Sequence, residues 1–184
     1  SMGGRVALFF ALLYPDYTQS LTLEDSGMEA NPSRIQWIER LLASVPTPFL
    51  DREAAKLHFA ENFLQDPLTG SFLHANLETK ANGEIDWKFF PQGMIETIKK
   101  GRALDAMTEF VSIGAPTLIV RGANSREFPA DEAARLQASR KNIVFVEIEG
   151  AGHFVHAEKP EEFSRALKSF ISSLEAGPGG VPLN

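Results

Sequence analysis

The sequence contains no cysteine, which excludes disulfide bonds, thiol nucleophiles and cysteine-based metal sites. It also has no long hydrophobic run. The longest apolar stretch, Val6 to Leu13, is far shorter than the roughly 18 to 20 residues that span a bilayer, and it lacks the flanks of a signal peptide. We therefore expect a cytoplasmic protein with no membrane partner.

Clusters of basic residues are missing as well. Lys99-Lys100 and Arg140-Lys141 are isolated pairs, and the formal net charge is −6. Because neutralising phosphates requires clustered lysine and arginine, we exclude a nucleic-acid partner. No spacing of Asp, Glu and His is typical of a metal site, so the sequence predicts neither a metal ion nor another cofactor.

The segments that carry a secondary-structure signal alternate between strand and helix. Three β-prone runs lie at 20–24, 116–121 and 143–148. Thr117 to Val120 is a continuous apolar run bounded by Pro116 and Gly122, which is typical of a strand buried on both faces of a parallel sheet. Helical patterns cover 3–14, 129–139 and 159–174. This order predicts an α/β fold, with a mostly parallel sheet flanked by helices.

The middle of the chain has a different pattern. Between residues 31 and 110, apolar residues recur at helical spacing and are interrupted by proline and glycine, with no strong strand signal. We interpret 31–110 as a helical insertion between two core segments, 1–30 and 111–176. The remaining residues, 177–184, have no core-forming side chains and are expected to form a flexible tail.

The first candidate for chemistry is the opening Ser1-Met2-Gly3-Gly4, directly before a helical run. A serine on a sharp turn between strand and helix, flanked by small residues, is the arrangement of a nucleophile elbow. Backbone N–H groups at the start of such a helix can bind an oxyanion. Four residues are a weak motif, and a flexible leader or tag remnant fits the same letters.

A second candidate is His153, in a glycine-flanked turn between the strand at 143–148 and a helix that starts near Pro160. Such a turn lies at the carboxyl edge of the sheet, where sites in open α/β folds are found. His156 fits a capping or packing role better. The order serine, acid, histidine along the chain is that of α/β-hydrolases.

Together, the segments SMGGRVAL, LEDSG, APTLIVRGANS and GAGHFVHAEKPEEF resemble the α/β-hydrolase superfamily, and more closely its small bacterial serine esterases. The resemblance spans residues 1 to about 174. It implies that Ser1 is the nucleophile, that His153 is the general base, and that the Met2 N–H donates to the oxyanion. It also implies that the N-terminal half of the fold is absent from this chain, so we expect a preceding segment or a partner chain to complete the sheet.

The triad acid is assigned by the same resemblance. Many family members carry an aspartate after the strand equivalent to 116–121, but this sequence has Arg126 at that position. The resembled subgroup carries the acid after the preceding strand, which matches Asp25. Glu127 is the competing candidate, whereas Asp131 has the character of an ordinary helix-start residue.

The resulting hypothesis is a serine hydrolase that cleaves short-to-medium acyl esters or thioesters through Ser1, His153 and Asp25 and an acyl-enzyme. The resemblance implies that the insertion is a cap over the acyl pocket. Aromatic residues are expected to bind the acyl group: Trp37, Phe63, Phe89 and Phe154. Two alternatives stay open. One is a hydrolase-fold fragment that acts only as a binding module, and the other is an N-terminal-nucleophile hydrolase that uses the Ser1 α-amine as base.

Overall fold

A computed structural model describes residues 2–31 and 33–176. The described residues form two compact units, one with the residues up to Ala30 and from Leu104 onward, the other Asn31–Ala103. The assignment of 31–110 as a cap stays a prediction. The predicted nucleophile Ser1 and the predicted tail at 177–184 lie outside the described residues.

The helices and strands follow one another along both units. In chain order they are α1 (Met2–Leu13), β1 (Leu21–Glu24), α2 (Ser33–Ala43), α3 (Arg52–Asn62), α4 (Pro67–Ala75), β2 (Leu77–Thr79), β3 (Ile85–Trp87), α5 (Pro91–Ala103), α6 (Met107–Ser112), β4 (Thr117–Gly122), α7 (Ala130–Ala138), β5 (Ile143–Ile148), α8 (Val155–Glu158) and α9 (Pro160–Glu175). No helix among the described residues is long and apolar enough to cross a membrane.

The first unit is built on a parallel sheet in the order β1-β4-β5. Leu21 of β1 is in register with Thr117 of β4, and Thr117 with Ile143 of β5. The three strands predicted from the sequence are confirmed, and so is the α/β class. Every residue of the central strand β4 is buried, as its continuous apolar run predicts. Because the strands are parallel, their carboxyl ends meet at one edge of the sheet.

The helix α1 lies against this sheet. Leu8 and Ala11 pack into the same core as Leu23 of β1, while Val6 is 65% and Phe10 is 50% exposed on the other face of the helix. Within the described ranges, β1 pairs with β4 alone. The strand and the covering elements expected beside β1 and α1 therefore stay predictions.

The second unit contains the predicted helices, α2 to α5, together with an antiparallel hairpin of β2 and β3. The expectation that this segment has no strong strand is wrong at the hairpin. Each of its strands has only three residues, too few for a periodic signal. The Asn82-Gly83 turn, with Gly83 at a φ of 89°, is the local feature that indicates a hairpin. Phe49, Phe59 and Trp87 belong to the apolar core of this unit.

Candidate active site

Asp25 directly follows β1 and is 1% exposed. Its φ of 43° lies in the left-handed region, and it is the one non-glycine residue with a positive φ among those described. Aspartate tolerates this region better than most residues, but the conformation persists only where the surroundings determine it. The left-handed turn brings the chain out of the sheet at the carboxyl edge.

Three donors surround the carboxylate of Asp25. The backbone N–H of Gly122, the last residue of β4, donates to Oδ1 at 3.1 Å. The hydroxyl of Ser125 donates to Oδ2 at 2.5 Å, and Nδ1 of His153 lies 2.7 Å from the same oxygen. Donors of this kind stabilise the ionised carboxylate in a buried position. Both oxygens of the buried Asp25 carboxylate therefore have hydrogen-bond partners.

Ser125 was missed by the sequence analysis, although it is 8% exposed and central to this network. Besides donating to Asp25, its Oγ accepts a hydrogen bond from the backbone N–H of Glu127 at 3.1 Å. The signal in the sequence is its place one residue before Arg126, in the loop where many family members carry the acid. The loop after β4 thus supplies a hydroxyl to the site, and the carboxylate comes from the loop after β1.

His153 is carried by the turn between β5 and α8. Gly150 in this turn has a φ of 72°, a left-handed conformation that glycine adopts without strain. At Gly122, an added Cβ would collide with the carbonyl oxygen of Gly152 and lie 2.7 Å from that of Ala151. Close approach of β4 to the turn therefore requires glycine at position 122, and this approach places the ring of His153 beside Asp25.

Two glutamates hold the turn that carries His153. The carboxylate of Glu158 accepts hydrogen bonds from the backbone N–H groups on either side of the histidine, at 2.7 Å from Gly152 and 3.1 Å from Phe154. Oε1 of Glu24 lies 2.8 Å from the backbone nitrogen of His156 and 2.7 Å from its Nδ1. His156 therefore links the turn to the end of β1, in agreement with the structural role expected for it.

The Asp25–His153 contact fixes the chemistry available to the imidazole. A carboxylate has no proton to give, so Nδ1–H of His153 donates and Oδ2 of Asp25 accepts. In the neutral ring, Nε2 then carries the lone pair that can take up a proton. The pair can orient a general base and stabilise the imidazolium that forms when this base is protonated.

The structure also shows the surroundings of the competing acid and of the other predicted site residues. Asp25, not Glu127, is the acid on Nδ1 of His153. Met2 begins α1, where first-turn N–H groups have no acceptor within the helix. The Phe154 ring lies 5.4 Å from that of His153. Phe63 and Phe89 pack against the core of the second unit, and Trp37 of the same unit is 38% exposed.

Among residues 2–31 and 33–176, no group of three or more His, Asp or Glu side chains could hold a metal ion.

Comparison with known proteins identifies one family. The model of the alpha/beta hydrolase family matches residues 1–166. An sn-1-specific diacylglycerol lipase of Mus musculus is 26% identical to the chain over 178 residues, which cover 94% of this chain and 57% of the lipase. The chain therefore spans less than two thirds of this relative.

Solved structures agree on the fold. The crystal structure of E-2-(acetamidomethylene)succinate hydrolase superposes with a TM-score of 0.79 at 24% identity, over 94% of this chain and 64% of that one. A marine microorganism esterase superposes with a TM-score of 0.72 at 21% identity, over 92% of this chain and 67% of that one. At these identities the likeness establishes the fold alone.

Proposed function

The chain belongs to the alpha/beta hydrolase family, and from this premise we propose a serine esterase that cleaves esters or thioesters of short-to-medium acyl chains. The observation that carries the proposal is the 2.7 Å contact between Nδ1 of His153 and the buried carboxylate of Asp25. The esterase and the lipase among the similar proteins are consistent with an acyl substrate. A neutral small-molecule ester is the substrate that we expect.

In the proposed mechanism, Nε2 of His153 takes the proton of the Ser1 hydroxyl as Oγ attacks the acyl carbon. The tetrahedral intermediate carries its negative charge on the former carbonyl oxygen, to which the Met2 N–H donates. As the acyl–oxygen or acyl–sulfur bond breaks, His153 returns the proton to the leaving alcohol or thiol. Water, deprotonated by the same nitrogen, then attacks the acyl-enzyme, and His153 returns this proton to Ser1 Oγ as the acid is released. Asp25 stabilises the imidazolium in both halves.

The test assays the protein completed by the preceding segment or partner chain that we expect, on a chain-length series of p-nitrophenyl esters together with acyl-CoA thioesters. We expect Ser1→Ala, His153→Ala and Asp25→Asn each to lower kcat by about 10³-fold or more, because each removes a member of one catalytic unit. His74→Gln is the control, since His74 is an exposed histidine of the second unit with no role in the proposed mechanism. Full hydrolysis by His153→Ala would overturn the proposal.

The N-terminal-nucleophile alternative predicts a different result. In that mechanism the α-amine of Ser1 is the base, so placing further residues before Ser1 abolishes hydrolysis. A triad enzyme retains it, because His153 supplies the base. A fluorophosphonate probe gives a second readout: the triad places the phosphonyl adduct on the peptide that contains Ser1. A chain that acts only as a binding module forms no adduct.

A further inference from the structure

Glu132, on α7, is a buried carboxylate that lies against the loop following Asp25. Its Oε1 accepts hydrogen bonds from the backbone N–H groups of Met28, at 2.5 Å, and of Glu29, at 2.8 Å. The side chain also covers Gly27, where an added Cβ would lie 2.6 Å from its Cδ. The loop at 27–29 is therefore wrapped around one carboxylate that comes from a distant part of the chain.

The charge of Glu132 is unfavourable for a buried position. Burial raises the pKa of its carboxyl, and the opposing stabilisation comes from the N–H groups of Glu29 and Met28 and from the charge of Arg5. The guanidinium of Arg5 donates to the carbonyl oxygens of Leu104, at 2.7 Å, and Glu29, at 2.6 Å. An apolar residue at position 132 would avoid the desolvation but would leave two backbone donors without an acceptor.

The wrapped loop begins only two residues after Asp25. The left-handed conformation of Asp25, with its φ of 43°, is kept by what holds the chain on either side. On one side, the backbone N–H of Asp25 donates to Val120 at 2.7 Å, as a continuation of the sheet. On the other side, Glu132 holds the N–H groups of Met28 and Glu29. Released from Glu132, the loop would let Asp25 relax to a negative φ and turn its carboxylate away from His153.

We propose that Glu132 is a positioning residue, which holds the loop at 27–29 so that the carboxylate of Asp25 stays on Nδ1 of His153. It acts through the backbone of this loop and takes no part in proton transfer. The catalytic consequence rests on the proposed function, in which Asp25 orients the base. The geometric consequence, an intact Asp25–His153 hydrogen bond, does not depend on any activity.

Two substitutions of Glu132 distinguish the loss of its hydrogen-bond acceptor from the loss of its negative charge. Glu132→Gln keeps an oxygen that can accept from Met28 and Glu29, whereas Glu132→Leu removes every acceptor at similar volume. Arg135→Gln is the matched control, because exposed Arg135 lies on the same helix and reaches the same loop through the half-buried side chain of Glu29. The readouts are kcat and KM for ester hydrolysis and the far-downfield proton NMR signal of the His153 Nδ1–H.

For Glu132→Leu we expect kcat to fall by about 10²-fold with little change in KM, as for other displacements of a catalytic group by about an ångström. The Nδ1–H signal should broaden or disappear. Glu132→Gln should keep the signal and remain within about threefold of the wild-type kcat, because the accepting oxygen is conserved. Arg135→Gln should match the wild type in both readouts. General destabilisation of the fold would not produce this pattern, in which kcat and the Nδ1–H signal fall together in Glu132→Leu and are both retained in Glu132→Gln.

A second variant covers the case in which Glu132→Leu does not fold. Gly27→Ala pushes a methyl group against the carboxylate of Glu132 from the loop side and should weaken the same contact. In the folded protein, Gly27→Ala should lower kcat and the Nδ1–H signal together. The double variant Gly27→Ala/Glu132→Gln should show non-additive effects, because both changes act on one contact.

Unchanged kcat and an unchanged Nδ1–H signal in Glu132→Leu, or in Gly27→Ala if the former does not fold, would overturn the proposal. Equal losses in Glu132→Gln and Glu132→Leu would also overturn it, because the accepting oxygen would then not matter. If the wild type hydrolyses no ester while the Nδ1–H signal still responds to position 132, the proposed function fails and the positioning role stands.

Discussion

The two loops that meet at the candidate site are held by the same kind of hydrogen bond, but the bonded residues are separated by very different distances along the sequence. Each rests on a glutamate whose carboxylate accepts two backbone N–H groups. On the histidine side, Glu158 binds donors that lie six and four residues away in the sequence. On the aspartate side, Glu132 binds donors 104 and 103 residues away. The histidine turn therefore has a local support in Glu158 in addition to its long-range contact with Glu24, while the aspartate loop depends on α7 being packed against it.

The two loops also differ in the residue that adopts the left-handed backbone conformation. The histidine turn places its left-handed residue at a glycine, Gly150, which adopts it without strain, whereas the aspartate loop places it at Asp25 itself. The histidine turn thus has no strained residue at its left-handed position. The aspartate loop needs the rest of the unit to keep an unfavourable conformation, so we expect the two loops to respond differently to perturbation.

The largest effect on stability is expected from Gly122→Ala, which acts where β4 meets the histidine turn. The added methyl would overlap the carbonyl groups of Gly152 and Ala151, so we expect a loss of roughly 1–3 kcal/mol in the free energy of unfolding. Urea denaturation measures it. Gly114→Ala is the matched control, because an added Cβ at Gly114 has no neighbour within 4 Å. Equal stability in both variants would contradict the close approach.

A smaller effect is expected at Glu158, which tests the local character of the histidine turn. Glu158→Ala removes the acceptor of two N–H groups and should cost about 1 kcal/mol for partly exposed donors, while Glu158→Gln should restore most of it. Amide hydrogen exchange should accelerate at Gly152 and Phe154 and remain unchanged at Met28 and Glu29. Faster exchange in both loops would show that they are not independent.

The pH dependence of stability tests the aspartate side. Because burial raises the pKa of Glu132 above its ordinary value of 4.5, the folded state binds this proton more tightly than the unfolded state does. The contribution of Glu132 to the free energy of unfolding is therefore most favourable below pH 4.5 and is lost as the pH rises through the raised pKa. Glu132→Gln removes the titration, so its stability relative to the wild type should increase from pH 4 to 7, measured by urea denaturation.

A difference between Glu132→Gln and the wild type that stays constant over this range would contradict the raised pKa. Measuring the difference, and not either protein alone, cancels the other carboxylates that titrate in the same window.

The smallest effect is expected at Arg135, which joins α7 to the aspartate loop at the surface. Its guanidinium binds Glu29 and also Asp131, and the hydrogen bond from Arg135 lowers the pKa of the Asp131 carboxyl. Arg135→Gln should raise the Asp131 pKa towards its ordinary value, as measured by NMR titration, with hardly any change in unfolding at moderate salt. A marked loss of stability would show that the exposed ion pair, and not buried Glu132, holds the loop.

Much of the fold was predictable because the signals are local. The central strand is predicted by an apolar run bounded by Pro116 and Gly122, its two neighbours by β-prone stretches that end in turn residues, and the closing helix by Pro160 at its start. The hairpin of β2 and β3 was missed, because strands of three residues give no periodic signal. The turn around His153 was predictable for the same reason as the helices, since Gly150, Gly152 and Glu158 all lie close to it in the sequence.

The sequence by itself determined the α/β order, the turn that carries His153 and the candidates Asp25 and Glu127 for its partner. Only the tertiary structure shows which of the two carboxylates contacts Nδ1 of His153, because the register of β1 on β4 places Asp25 beside Gly122 and Ser125. It alone also shows Ser125 on the carboxylate of Asp25 and Glu132 on the loop at 27–29 that follows. Contacts between residues about 100 positions apart leave no mark on local periodicity or turn chemistry, so these supports appear only when the strands and helices have packed.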